Sequence, residues 1–189
     1  MKLRRDDHRQ QPWRVHDVAR GFQVADAWCL NTPGRPDDFQ RLIERVWASF
    51  DRAPRGSARV LWAVRWKLGD LLGWDRPDAG FAGRVTSLRE SLPADLVHAR
   101  SSAPAAARIP FSPIYRLEDE WAAELANGTV HGVIHLGWVA NDAGSYQGQL
   151  AVLVRPNGWS GRLYLAAIAP FRRLVYPAWI GRIERSWTP

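Results

Sequence analysis

The last third of the chain restricts the fold more than any other part. Three segments there alternate apolar and polar side chains, as strands with one buried face do. They are residues 131–139, 147–154 and 162–168. Turn-forming Asn and Gly residues stand at 127–128, 141–144 and 157–158, and such residues are typical of tight hairpins. The pattern predicts an antiparallel sheet.

A long amphipathic helix is expected to close the chain. Pro170 suits its first turn, because the amide at that position has no partner within the helix. Pro177 falls inside it and is expected to kink or interrupt it. One face carries an apolar residue at every fourth position: Phe171, Val175, Trp179, Ile183 and Trp187. The sheet and helix together predict an α+β fold, in which a curved antiparallel sheet wraps around the long C-terminal helix.

The chain divides into a flexible basic tail, expected over residues 1–20, and a single domain, expected over residues 21–189. A first strand is predicted at residues 22–30, where Asp26 interrupts the apolar side. Strands are also predicted at 112–117 and 118–125, the latter as the first arm of a hairpin turning at Asn127-Gly128. Residues 101–107 are rich in Ala and Ser and predict a surface loop or lid.

Two shorter helices are expected after the first strand. The first begins near Asp37 or Asp38, because carboxylates favour the free amides of an initial helical turn. Its apolar face is Phe39, Leu42, Ile43, Val46, Trp47 and Phe50. The second helix spans residues 58–72 and places Arg65 among apolar side chains. A guanidinium there is costly unless it pairs with a carboxylate, reaches water or binds an anionic ligand.

Composition narrows the functional classes. Cys29 is the only cysteine, so no disulfide can form within the chain. No apolar segment follows the charged N-terminus as in a secretory signal, and no stretch approaches the roughly 20 apolar residues of a membrane span. We therefore expect a soluble cytoplasmic protein. Eleven tryptophans predict either a bulky core or a wide aromatic-lined pocket.

The net charge of +7 is concentrated at the two ends of the chain. Residues 1–20 carry +3 and residues 155–189 carry +5, while the remainder carries −1. Binding of nucleic acid favours a dense basic stripe with interleaved aromatic residues on one surface. The arginines of the last helix are more simply interpreted as its solvated face. Nucleic acid is therefore not expected as a partner.

The predicted hairpin at residues 141–144 sets a register. Residues whose numbers sum to about 286 should lie opposite each other, with apolar and polar side chains on separate faces. The apolar face comprises Val130, Ile134, Leu136, Trp138, Tyr146, Gly148, Leu150, Val152 and Val154. The other face carries His131, His135, Gln147, Gln149 and Arg155. The two histidines lie about 13 Å apart along their strand, so no metal site is expected.

An acid–base pair is the remaining chemistry that the sequence suggests. Glu120 and Glu124 precede the turn at Asn127-Gly128, across which either can face a histidine. Glu120 and His131 are the candidate pair, and a structural hydrogen bond is the alternative. The chain has no Gly-rich phosphate loop, GxSxG or HExxH sequence. No cofactor is expected, and the sequence leaves open whether the protein is an enzyme.

Five stretches resemble the bacterial family known as domain of unknown function 2867. They are residues 22–28 (FQVADAW), 64–74 (VRWKLGDLLGW), 115–120 (YRLEDE), 129–131 (TVH) and 170–172 (PFR). This family is similar to the START-like (SRPBCC) superfamily, and the resemblance implies a helix-grip fold. Helix-grip domains typically bind sterols, lipids or polyketides, and a minority act as cyclases, dehydratases or hydrolases. Family members also occur fused behind NAD(P)-binding oxidoreductase domains.

The leading hypothesis is binding of a small apolar or amphipathic molecule between the sheet and the C-terminal helix. The predicted lining is Trp28, Trp138, Leu150, Val152, Phe171, Val175 and Trp179. Arg65 or Tyr115 would fix a polar end of the ligand. One alternative is a cyclase-, dehydratase- or hydrolase-like enzyme on the same scaffold that uses Glu120 and His131. The other is an accessory partner of an NAD(P)-dependent oxidoreductase.

Overall fold

Five strands form one antiparallel sheet. The computed structural model describes residues 1–50, 85–100, 111–141 and 144–187. The strands are β1 (Gln23–Cys29), β2 (Ser112–Arg116), β3 (Glu120–Ala126), β4 (Val130–Ala140) and β5 (Tyr146–Pro156). Their order across the sheet is β1-β5-β4-β3-β2, and each neighbouring pair is antiparallel. All strand predictions except that at residues 162–168 are confirmed.

Four α-helices flank this sheet in the described part of the chain. They are α1 (Arg5–Gln10), α2 (Val15–Val18), α3 (Phe39–Phe50) and α4 (Gly158–Trp187). A 3₁₀ turn over Pro36–Asp38 leads into α3, and the Asp38 carboxylate accepts the Arg35 amide at 2.9 Å. The predicted start of this helix is therefore confirmed. The predicted helix at 58–72 with Arg65, and the predicted loop at 101–107, lie outside the described residues.

The β4–β5 hairpin has the predicted register. It runs from Val130 opposite Pro156 to Ala140 opposite Tyr146. The connection is closed at Asn141, whose amide donates to the Ser145 carbonyl at 2.7 Å. The β3–β4 turn is confirmed as well. There the Asn127 side chain accepts hydrogen bonds from the backbone amides of residues 129 and 130.

The predicted strand at residues 162–168 is wrong, because that segment lies inside α4. Its Leu, Ala and Arg residues favour helix, and a short apolar run does not distinguish strand from helix by its pattern alone. Gly158, with φ +69°, makes the turn from β5 directly into the helix. Pro170 and Pro177 are consequently both interior, and α4 continues through each of them. Pro170 is not its first residue.

One layer of the core fills the space between the sheet, α3 and α4. The sheet contributes a row of four side chains in register across β3, β4, β5 and β1: Trp121, Leu136, Leu150 and Trp28. Ile180, Ile183 and Trp187 of α4 pack against the same core, as do the apolar residues of α3. This α4 face is the one predicted from the four-residue repeat. The face of the sheet predicted to be apolar is therefore the one that α3 and α4 cover.

The opposite face of the sheet is buried as well, which corrects the predicted flexible tail. Residues 1–20 form α1 and α2 and lie against this face, with Trp13, Val15 and Val18 in its core. Val133, Ala151 and Leu153 alternate with the polar residues of the sheet and provide the apolar surface that they cover. The basic charges of this segment concealed its buried residues, because they occupy the solvent-facing positions of short helices.

Both edges of the sheet meet another part of the chain. Along β1, the amide of Leu3 donates to the carbonyl of Ala27 at 2.9 Å. Along β2, Arg116 donates its amide to the carbonyl of Ala99 at 2.8 Å. Such contacts satisfy backbone groups that would otherwise be free to pair with another chain.

A five-stranded antiparallel sheet against a long C-terminal helix is compatible with a helix-grip fold.

Two glycines of α4 provide a matched test of how the helix meets the sheet. A Cβ atom added to Gly161 would lie 2.1 Å from the Thr129 carbonyl oxygen, whereas one at Gly181 meets only the movable end of Arg185. Replacing glycine with alanine inside a helix stabilises it by up to about 1 kcal/mol when nothing clashes. Gly161→Ala should nevertheless lower the free energy of unfolding by about 3 kcal/mol. Urea denaturation followed by circular dichroism measures the change.

Gly181→Ala is the control and should leave this free energy unchanged or raise it by up to about 1 kcal/mol. Equal effects of the two substitutions would contradict the close approach of α4 to the β3–β4 turn.

Candidate functional site

Two pairs of a glutamate and a histidine lie on the face of the sheet that α1 and α2 cover. Glu120 and Glu124 project from β3, and His131 and His135 project from β4. In the antiparallel register, each glutamate lies diagonally opposite one histidine. His131 Nε2 lies 2.8 Å from Glu124 Oε2, and His135 Nε2 lies 3.1 Å from Glu120 Oε1. All four side chains are buried.

Glu120 joins three parts of the chain. One of its carboxylate oxygens accepts the backbone amide of Arg14 and the other accepts that of Val15, both at 2.8 Å. The hydroxyl of Tyr115, on β2, donates a hydrogen bond to Glu120 Oε1 at 2.5 Å. Burial alone would raise the pKa of Glu120, but His135, Tyr115 and the Arg14 amide together hold it below its usual value. Glu120 is therefore a buried carboxylate at neutral pH.

A chain of imidazoles extends from Glu120 towards α1. His8 Nε2 lies 3.0 Å from His135 Nδ1, and His16 Nε2 donates to the backbone carbonyl of His8 at 3.1 Å. Burial lowers the pKa of His135, although Glu120 opposes this shift. Burial also lowers the pKa of His8 to about 3, and the charges of His135 and His16 lower it further. His8 and His135 are thus neutral at pH 7, which lets His8 donate to His135.

The second pair, Glu124 and His131, also receives hydrogen bonds from another segment of the chain. The Ser87 hydroxyl and the Leu88 amide donate to the Glu124 carboxylate. Burial would raise the pKa of Glu124, but the hydrogen bonds from His131, Ser87 and Leu88 hold it below its usual value. The segment around residues 87–88 thereby covers this end of the sheet, as α1 and α2 cover the other.

This arrangement corrects two predictions. Glu120 and His131 are not a pair, because β3 and β4 place Glu120 beside His135 and His131 beside Glu124. Tyr115 does not fix a ligand between the sheet and the C-terminal helix, because it lies on the opposite face and donates to Glu120. Within the described residues, no group of three or more His, Cys, Asp or Glu side chains is placed to hold a metal ion.

The other face of the sheet carries a cluster of seven aromatic rings, which we call the aromatic cluster. Each ring centroid lies within 6.4 Å of another member. The members are Trp28, Trp47, Phe50, Phe111, Trp121, Tyr176 and Trp179. Trp28 and Trp121 are buried in the sheet, and the other five are only half-buried. Part of this aromatic surface is thus exposed to solvent.

Polar groups border the aromatic cluster on its β1 side. The bulge in β1 places Asp26 on the same face as Trp28, where its Oδ2 lies 3.6 Å from Arg172 Nε of α4. Both atoms are buried, and neither has a hydrogen-bond partner within the described part of the chain. Tyr176 lies near them, and burial raises its pKa to about 12. Its hydroxyl therefore remains protonated at neutral pH.

A second polar border lies between α3 and α4. A shallow recess of about 20 Å³, room for about one water molecule, is lined by Arg45, Ala48, Ser49, Arg182 and Ser186. Its floor is tied to the aromatic cluster, because the indole N–H of Trp179 donates to Ser49 Oγ at 2.7 Å. Two arginines, two serines and no acid make this recess electropositive.

The structure distributes the predicted lining residues unequally. Trp28 and Trp179 belong to the aromatic cluster, and Leu150 and Val152 lie beneath it on β5. Phe171 and Val175 are half-buried on α4. Trp138 lies apart from the cluster, in contact with the rings of Phe39, Tyr146 and Trp187. Its indole N–H donates to the Arg35 carbonyl at 2.9 Å, which indicates a structural role.

Comparison with known families confirms the resemblance to domain of unknown function 2867. The family described as protein of unknown function (DUF2867) matches residues 18–179. The chain belongs to this family. No curated protein and no solved structure gives a match. None of the described helices of this DUF2867 protein is both long enough and apolar enough to cross a membrane.

Sequence reasoning missed several residues of the buried polar network. His8 and His16 were hidden because the charged segment around them suggested a mobile tail. The Asn-Gly turn identified Glu120 and Glu124 as partners of the histidines, but not which glutamate pairs with which histidine. The available indication was the spacing of four in both strands, which allows two parallel Glu–His contacts across one hairpin.

The lowered pKa values of His8 and His135 predict loss of stability in mild acid. Below about pH 6.5 the unfolded chain binds protons that the folded protein excludes from these histidines, so the free energy of unfolding falls with pH. His8→Gln keeps a donor to His135 but does not titrate. Between pH 6.5 and about 4.5, the free energy of unfolding of the His8→Gln variant should change less steeply with pH than that of the wild type. The slopes should differ by up to about 1.4 kcal/mol per pH unit. Urea denaturation at several pH values measures the slope.

His98→Gln is the control for this titration, because His98 is exposed. This substitution should leave the slope unchanged. Identical slopes for wild type and His8→Gln would show that His8 is not buried as a neutral group. Below about pH 4.3 the lowered pKa values of Glu120 and Glu124 add a further loss, as those carboxylates become protonated on unfolding.

Proposed function

We propose that this protein binds a small apolar or amphipathic molecule on the α3–α4 side of its sheet. The half-buried aromatic cluster carries this proposal. Binding sites for small molecules are mostly apolar and aromatic, with a few polar groups that orient the ligand. The cluster has this composition, since five accessible rings lie over two buried tryptophans of the sheet.

The chemistry of the borders supports an amphipathic ligand in particular. Asp26 Oδ2 and Arg172 Nε form a 3.6 Å ion pair but have no hydrogen-bond partner in the described chain, so a polar group of a ligand would satisfy both atoms. On the other border, Arg45 and Arg182 favour a negatively charged or strongly polar group. A molecule with an apolar body and a polar end can therefore occupy the aromatic cluster and reach either border.

No acid–base reaction is proposed at Glu120 or His131. Both side chains are buried, and the donors around Glu120 come from the protein itself. A catalytic acid or base must reach its substrate, whereas these groups hold α2, β2, β3 and β4 together. The aromatic cluster is the more suitable place for a ligand.

The first test combines native mass spectrometry of gently purified protein with a binding panel. The panel contains monomeric fatty acids, sterols and aromatic polyketides, measured by equilibrium dialysis. At least one compound should bind with one-to-one stoichiometry. Trp47→Leu combined with Phe50→Leu keeps the site apolar but removes two rings, so affinity for that compound should fall roughly tenfold.

Val97→Ala is the control, because Val97 is exposed and lies outside both the aromatic cluster and α4. It should bind the compound as the wild type does. Thermal unfolding confirms that each variant is folded. The proposal is contradicted if no adduct and no panel compound binds, or if the control loses affinity as much as the double variant.

A further inference from the structure

The outer face of α4 carries an exposed apolar stripe. Trp159, Leu163 and Leu174 are 78%, 60% and 66% exposed, and they are three of the five large apolar residues exposed in the described chain. With 3.6 residues per turn they project from one face and extend over about 22 Å. The positions between and beyond them on this face are also apolar and exposed: Ala166, Ala167, Pro170, Pro177 and Ala178.

The charges along this stripe all have one sign. Arg162 and Arg173 are exposed and border the stripe on the same side. Residues 158–183 contain no acidic residue at all. Arg172, on the inner side of the helix, is engaged with Asp26. The exposed surface of α4 is thus apolar along its centre and positive along one border.

We propose that α4 is a membrane-surface contact that lies flat on anionic lipids. An interfacial helix buries Trp and Leu side chains at the boundary of headgroups and acyl chains, while arginines bind the lipid phosphates. The stripe supplies the apolar part, and Arg162 and Arg173 supply the charge complementarity. Because α4 is held on the sheet by Ile180, Ile183 and Trp187, the stripe is already formed before it meets a surface.

The alternative occupants of this stripe are an acidic protein surface and a second copy of the chain. An acidic protein surface is less favoured, because carboxylates placed on the apolar centre of the stripe would lose their hydration without a partner. A second copy would bring arginines of both copies close together at this face, since no acid is present on it between residues 158 and 183.

The test is co-sedimentation of the full chain with phosphatidylcholine vesicles, with and without about one third phosphatidylglycerol. We expect binding to the anionic vesicles that weakens as salt is raised, and much weaker binding to phosphatidylcholine alone. Leu163→Glu with Leu174→Glu should reduce the fraction bound at least tenfold. Arg162→Gln with Arg173→Gln should weaken binding roughly 30-fold, because each arginine near an anionic surface raises the binding affinity roughly fivefold.

Two control variants show whether the losses are specific to the stripe on α4 or follow from any loss of exposed apolar surface or positive charge. Val97→Glu changes an exposed apolar residue elsewhere, and Arg5→Gln with Arg9→Gln removes the same net charge from α1. Both should bind as the wild type does. The proposal is overturned by equal binding to neutral vesicles, by equal losses in the controls, or by no binding. It is also overturned if sedimentation velocity shows a dimer that the leucine variant dissociates.

Discussion

The buried carboxylate of Glu120 is the contact on which the described structure depends most. A charge in a protein interior costs several kcal/mol unless hydrogen bonds and an adjacent polar partner compensate for it. Here the amides of Arg14 and Val15, the hydroxyl of Tyr115 and the ring of His135 all face this one group. They hold the N-terminal segment on the sheet, and the sheet is thereby covered on both faces.

The alternation of the strands then divides the two faces chemically. On β3, Glu120 and Glu124 face the N-terminal segment, while Trp121 between them faces α3 and α4. The polar face is covered by the N-terminal segment and by residues 87–88, which hydrogen-bond to Glu120 and Glu124. The aromatic face retains half-buried rings and two polar borders. The ligand site is therefore proposed on the aromatic face, although histidines and glutamates are the more familiar catalytic residues.

The sequence predicted the hairpins, their register and the separation of the two faces, because turn residues and strict alternation are local signals. It failed where local signals are ambiguous. The run at 162–168 suits a strand or a helix, and in the structure Gly158 turns the chain from β5 directly into α4. The partners of His8 were also hidden, since the contact to His135 spans 127 positions in the chain. The aromatic cluster was only partly anticipated, as it joins residues of β1, β3, α3 and α4 with Phe111, which precedes β2.

Hydrogen–deuterium exchange of the full chain tests the central claim most directly, namely that the N-terminal segment is part of the fold. The account predicts slow exchange for the amides of Leu3, Val15 and Val18, which donate to Ala27, Glu120 and Arg14. Their protection should approach that of the edge strands. Exchange of these three amides at the rate of an unfolded peptide, while β4 and β5 remain protected, would contradict it. In that case the polar face of the sheet would be open, and its glutamates and histidines would again be candidates for chemistry.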